Sequence, residues 1–142
     1  MTNHLIKTAL ETAMTEDVST PQNGAVVYSI SFLETKENRD KAYAFEKEHE
    51  GFLTLDHTPC GKKLIKLGLL VSKDVATSDI QKVWNLASER FIKAASGNVT
   101  AFVEGADKRS TFCSVELKNI LKNEKIKTIN NVLKEEFLRS YL

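Results

Sequence analysis

Glu116 closes the stretch Ser110-Thr111-Phe112-Cys113-Ser114-Val115-Glu116. The apolar run Val99 to Val103 precedes it, and a polar turn, Glu104 to Arg109, separates the two. That pattern predicts strand, loop and second strand, with Glu116 where the second strand runs out. A carboxylate at a strand end can point into a cleft while the backbone behind it holds it still. Thr111, Phe112 and Ser114 could supply hydroxyls, backbone groups and an apolar wall around the same spot. The plain alternative is an ordinary strand ending in a solvated glutamate.

Three further groups have residue types suited to chemistry. Trp84, the chain's one tryptophan, stands four residues before Ser88 on a helical stretch. By helical spacing alone it belongs to the apolar face formed by Ile80, Val83, Trp84, Ala87 and Phe91. Asp56 lies in Phe52-Leu-Thr54-Leu55-Asp56-His57-Thr58-Pro59-Cys60-Gly61. There Thr58 and Pro59 form a natural helix entry, as N-cap and first helical residue. Tyr28 and Ser29 sit in the apolar run Ala25 to Phe32, where Tyr28 reads as a core aromatic. His49 and His57 lack the spacing of a zinc pair, so no metal site is expected. Glu46, Glu48 and Glu50 read as a solvated face.

The elements that must position these groups are legible in outline. Leu5, Ile6, Ala9, Leu10, Ala13 and Met14 predict an amphipathic helix over residues 3–16. Glu16 to Gly24 reads as a loop. A helix is expected from about Asn38 to His49, stopped by Gly51. Ser78-Asp79-Ile80-Gln81 fits a capping box opening the next helix, which Gly97 ends. Strands are expected at 25–32, 99–103, 111–117 and 125–129, with a short helical connection over 116–123 and a last helix over 131–142.

Length and composition narrow the function class. The 142 residues fit one domain, 1–142, able to bury a core. Twenty Lys and Arg against nineteen Asp and Glu give a net charge of +1, no argument for a nucleic-acid or membrane partner. Cys60 and Cys113 do not make a disulfide framework, and a reducing compartment is the natural reading. No apolar run approaches membrane-spanning length, and the first residues lack the apolar region of a signal peptide. No phosphate-binding loop or dinucleotide glycine fingerprint is present.

Taken together, Trp84, Ser88, Arg90 and Phe91, then the run Ser110 to Leu117, resemble the ADP-ribosyl cyclase/NAD glycohydrolase family. Thr54, Leu55, Thr58 and Gly61 match its T-L-E-x-T-x-x-G stretch, with Asp56 for Glu. Tyr28 and Ser29 match its aromatic-Ser pair, and Ile30 stands where the animal enzymes carry an Arg. The likeness covers residues 25 to 130. It implies an α/β (α+β) fold with a small, mostly parallel four-stranded sheet flanked by helices and a helical N-terminal portion. It implies cleavage of the nicotinamide–ribose bond of NAD, a substrate with no further cofactor. Glu116, Trp84 and Asp56 would be the catalytic residues. Tyr28, Ser29, Thr58, Ser88, Ser110, Thr111 and Phe112 would bind substrate. Asp reaches roughly 1.5 Å less far than Glu, which bears on the ratio of ADP-ribose to cyclic ADP-ribose. Compact size and the lack of a disulfide framework resemble the bacterial polymorphic-toxin members, of the contact-dependent inhibition type. That would make the chain a soluble, NAD-depleting toxin domain, active in the target-cell cytoplasm and neutralised by an immunity protein. Two alternatives stay open: a nucleotide-binding module with weakened catalysis, and a toxin with RNase chemistry.

Overall fold

A computed structural model describes residues 3–29, 37–69, 78–104 and 112–139, without the side chains of 3, 78, 112 and 114. Helix α1 (Asn3–Thr15) leads into strand β1 (Ala25–Tyr28). Helix α2 (Glu37–Glu48), strand β2 (Leu53–Thr54) and a 3-10 turn (Leu55–His57) follow. Helices α3 (Pro59–Lys66) and α4 (Ser78–Ala94) precede strand β3 (Gly97–Phe102). A π-helical turn (Phe112–Glu116) runs into α5 (Leu117–Lys122), then β4 (Ile126–Ile129), β5 (Val132–Leu133) and α6 (Lys134–Leu138) close the chain.

The strands form one sheet in the order β2-β1-β3-β4-β5. The first four are parallel and β5 is antiparallel to β4. The sheet is therefore five-stranded and mixed, where the sequence reading expected four strands at partly different places. Strand β2 is only two residues long, too short for an alternation pattern to show. Strand β5 arises because Asn130 and Asn131 both adopt positive φ, 50° and 66°. Two such residues make the tight hairpin turn whose twist matches the flanking strands. Of the expected last helix, the described residues form β5 and then α6, and residues 140–142 lie outside the described residues.

The larger correction concerns the strand expected at 111–117, which is described from residue 112 onward. The expected strand is helical: the π-turn over 112–116 continues directly into α5. Strand β3 already pairs with β1 on one edge and β4 on the other, so the sheet's interior has no open edge for another strand. Val115, Glu116, Leu117 and Ile120 are buried together, a helical spacing that overrides the β-branched composition upstream. Glu116 therefore stands at a helix entry.

Side-chain alternation divides the core between two faces. Ala25, Val27, Val99 and Ala101 join the main cluster with Ala9, Ala13, Leu64, Val83, Phe91 and Ile120 from the helices. Val26, Tyr28 and Phe102 face the other way, toward α2, where the rings of Phe45 and Phe102 lie 5.6 Å apart. Helices thus cover both faces of a largely parallel sheet, as such sheets require.

Candidate active site

The sheet's order reverses direction after β1: the chain first adds β2 on one side, then β3 on the other. In open α/β sheets, the crevice beyond the carboxyl ends of the strands at such a switch point is where ligands bind. Tyr28 is the last residue of β1, and Asp56 lies in the 3-10 turn that follows β2. Ser29, 1% exposed, donates its backbone N–H to the Phe102 carbonyl at 3.1 Å, tying the ends of β1 and β3 together.

Asp56 is held by its local backbone. Thr58 caps α3: its hydroxyl donates to the Leu55 carbonyl at 2.6 Å and accepts from the Gly61 N–H at 3.2 Å. Pro59 occupies the first turn, as the sequence predicts. At Gly61 a Cβ would lie 1.9 Å from the Leu55 carbonyl oxygen and 2.6 Å from the Asp56 backbone, so only glycine lets α3 approach this turn. The Asp56 carboxylate then accepts two phenols on one oxygen. Tyr28 Oη donates to Oδ2 at 2.5 Å, and Tyr43 Oη donates to the same atom. Burial raises the Asp56 carboxyl above the ordinary range, while the two phenols and the neighbouring His57 and Arg39 oppose that rise. Both phenols are raised in turn, by burial first and by the Asp56 charge second.

Glu116 is 6% exposed. Among the described residues no group donates a hydrogen bond to it. Burial pushes its carboxyl up to about 8, and the nearby Asp56 charge adds to the rise. A buried carboxylate is ordinarily paired. This one, close enough to feel a second carboxylate, is poised to receive a positively charged or hydroxyl-rich ligand.

The remaining candidates divide clearly. Trp84 is buried, and its indole N–H donates to the Leu69 carbonyl at 2.7 Å. Ser88, one turn on, is also buried. Thr58 is fully buried, its hydroxyl occupied in the cap. Ser110, Thr111 and Ile30 lie outside the described residues, and Phe112 is described only as the backbone opening the π-turn. Among the described residues, no group of three or more His, Cys, Asp or Glu could hold a metal ion. No described helix is long and apolar enough to cross a membrane.

No protein-family model matches the chain. No curated protein matches it either. Solved structures do. Aplysia cyclase complexed with its substrate NGD and product cGDPR superposes with a TM-score of 0.55 at 20% identity, covering 77% of this chain and 48% of that one. Porcine CD38 bearing a covalent intermediate superposes with a TM-score of 0.56 at 19% identity, covering 98% and 81%. The chain has the ADP-ribosyl cyclase fold. It spans about half the length of the cyclase chains it matches. The motif resemblance read from the sequence is thereby met at the level of the fold.

Within this cyclase fold, the sequence reading missed the contribution of α2. Glu48 and Glu50 are exposed, as a solvated face should be. Glu46 is not: its side chain is 7% exposed. It accepts from the Thr54 N–H at 2.9 Å and from the Thr54 hydroxyl at 3.0 Å, and meets His57 Nδ1 at 2.6 Å. Glu46 thus latches α2 to β2 and to the turn carrying Asp56. Tyr43 lies between, its ring 4.5 Å from that of His57 and 6.1 Å from that of Tyr28. Arg39 is buried nearby. Residues 39, 42, 43 and 46 share one helix face, and that spacing was the available signal. The dense charges of α2 masked it.

Proposed function

We propose that the chain is an NAD glycohydrolase: it cleaves the bond between nicotinamide and ribose C1′, giving nicotinamide and ADP-ribose, with cyclic ADP-ribose as a further product. The observation that carries this reading is the Glu116 carboxylate, buried without a hydrogen-bond donor among the described residues and beside Asp56. It fits the chemistry. The leaving group is already a cationic pyridinium, so it departs with the bonding pair as neutral nicotinamide and needs no general acid. What the site must stabilise is positive charge developing at C1′, as in glycoside hydrolysis. An ionised Glu116 faces that charge and accepts from the ribose hydroxyls. Water then attacks C1′ and loses its proton, completing ADP-ribose. Attack by the adenine ring instead gives the cyclic product.

Asp56 addresses the nicotinamide end, and Thr58 acts by holding its turn. Tyr28, Ser29, Trp84 and Ser88, with Ser110, Thr111 and Phe112, complete the walls and polar contacts that exclude water and seat the nucleotide. As an NAD-depleting toxin domain of the contact-dependent inhibition type, the protein would work inside a target cell and be neutralised by an immunity protein. The solved structures of this fold with substrate, product and covalent intermediate support the NAD-directed part of this reading.

The test is product analysis of NAD incubated with the purified protein. Nicotinamide is expected, and Glu116→Gln should reduce its release about 100-fold or more. Near-normal release by that variant ends the assignment. A second reading draws on the Asp56 oxygen already taken by two phenols and the indole N–H of Trp84 already bonded to backbone. It makes the chain a nucleotide-binding module, and NAD binding without nicotinamide release would select it.

A further inference from the structure

Two buried carboxyls stand at the proposed site, with Glu116 in range of the Asp56 charge, and they are supported unequally. Asp56 accepts from two hydroxyls, both on Oδ2. Glu116 accepts from none among the described residues. Like charges in a dry site do not both ionise readily, so such a pair shares a proton over a wide pH range. Hydrogen bonds donated to one member decide where the proton rests.

We propose that Tyr43, together with Tyr28, sets the order of ionisation: the two phenols hold Asp56 as the anion and leave Glu116 as the member that takes up and releases the proton. Tyr43 is a positioning residue, acting through Asp56. It is well placed for this. It projects from α2, which Glu46 fastens to the Asp56 turn through Thr54 and His57, and the His57 ring packs on its own. Tyr28, at the end of β1, brings the second hydroxyl to the same Asp56 oxygen.

Among the described residues, the titratable and charged groups facing Asp56 come from four elements. They are Tyr28 from β1, Arg39 and Tyr43 from α2, His57 from its own turn and Glu116 from the π-turn. On α3, the thiol of Cys60 turns instead to the Thr12 carbonyl of α1, and burial pushes it up to about 11. On α4, Arg90 reaches the Ala13 carbonyl of α1. Neither contributes a donor to the pair. With Glu116 pushed up to about 8, the shared proton sits on the residue that must lose it for turnover. The cationic nicotinamide ring of an arriving NAD favours that loss, so substrate itself arms the site. This consequence rests on the glycohydrolase reading, whereas the order of ionisation does not.

The experiment is a carbon-13 NMR titration of the full chain with glutamate labelled at the side-chain carboxyl, Glu116 being assigned by the signal lost in Glu116→Gln. In Tyr43→Phe the shared proton should move to Asp56, and the Glu116 midpoint should fall by about one pH unit, tenfold in proton affinity. Tyr28→Phe should move it the same way. Asp56→Asn should lower it at least as far, and Tyr43→Phe should then add nothing, which a purely structural role would not produce. An unmoved midpoint in both phenylalanine variants overturns the proposal, as does a further shift in the Asp56→Asn background. Should Tyr43→Phe not fold, judged by circular dichroism, Tyr28→Phe decides alone. The titration needs no turnover. A shifted midpoint without nicotinamide release therefore keeps the ionisation order and removes the enzyme reading, and release with an unmoved midpoint does the reverse.

Discussion

Lys134 and Glu116 are both buried charged residues, 7% and 6% exposed, and the protein treats them in opposite ways. The Lys134 ammonium, at the start of α6, donates to three carbonyls at the end of α5: Ile120 at 3.1 Å, Leu121 at 3.2 Å and Asn123 at 2.8 Å. Two of them also accept a backbone N–H, Ile120 from Asn123 at 3.2 Å and Asn123 from Ile126 at 3.1 Å, and a cation suits the negative end of the helix dipole. Every donor of the ammonium is matched. The Glu116 carboxylate, at the other end of the same helical segment, has no donor among the described residues and a second carboxylate within electrostatic range. The difference teaches how to tell a structural charge from a functional one. A buried charge surrounded by its complements closes the fold, and one left without them is a place for something else to bind.

The largest expected effect comes from breaking the geometry of the site end. Gly61→Ala would drive a Cβ against the Leu55 carbonyl, a backbone group with no room to swing aside. Denaturant unfolding should show a loss of about 3 kcal/mol. The Asp56 turn would be displaced with it, so nicotinamide release from the folded fraction should fall as well. Stability unchanged by this substitution would mean that α3 does not need its close approach.

Glu116→Gln sharpens the comparison through pH. The folded carboxyl ionises near 8, against 4.5 as its ordinary value. The folded state therefore holds a proton that the unfolded chain has lost. The sign follows: stability is fully present below about 4.5, declines as pH rises, and levels off above about 8. Unfolding measured across that window should show a decline on the order of a few kcal/mol in the native protein. The glutamine variant should lack this contribution, becoming the more stable of the two at pH 9. An equal slope in both would place the titrating group elsewhere.

Lys134→Met tests the other side and should have the smallest effect. Removing the ammonium leaves three carbonyls without their shared donor, at a cost of about 2 kcal/mol. Nicotinamide release per folded molecule should not change. A loss of activity with stability retained would mean that the two ends of the α5 segment are coupled.

What could be read in advance follows from how local each signal is. Thr58, Pro59 and Gly61 announce a helix start within four residues, and the structure has that cap. The spacing of Ile80, Val83, Ala87 and Phe91 announces α4, and all four are buried. The π-turn was misread because β-branched and aromatic residues favour strands only where a strand edge is free, and β3 had none. Hairpin β4–β5 was missed because its turn is Asn130-Asn131 without the usual glycine.

By itself the sequence determined which residue types were on offer: a carboxylate where an apolar stretch runs out, an Asp beside a Thr-Pro helix entry, an aromatic within an apolar run. It also carried a resemblance that the fold bears out at a coarse level. Only the tertiary structure decided that Tyr28 and Tyr43, 28 and 13 residues before Asp56 along the chain, meet at one of its oxygens. Only it showed that Glu46 is a buried latch while Glu48 and Glu50 are surface charge. The reason is physical. Capping and periodicity are written within a turn or two of chain. Desolvation and the pairing of charges depend on what other segments bring alongside, and no window on the sequence contains that.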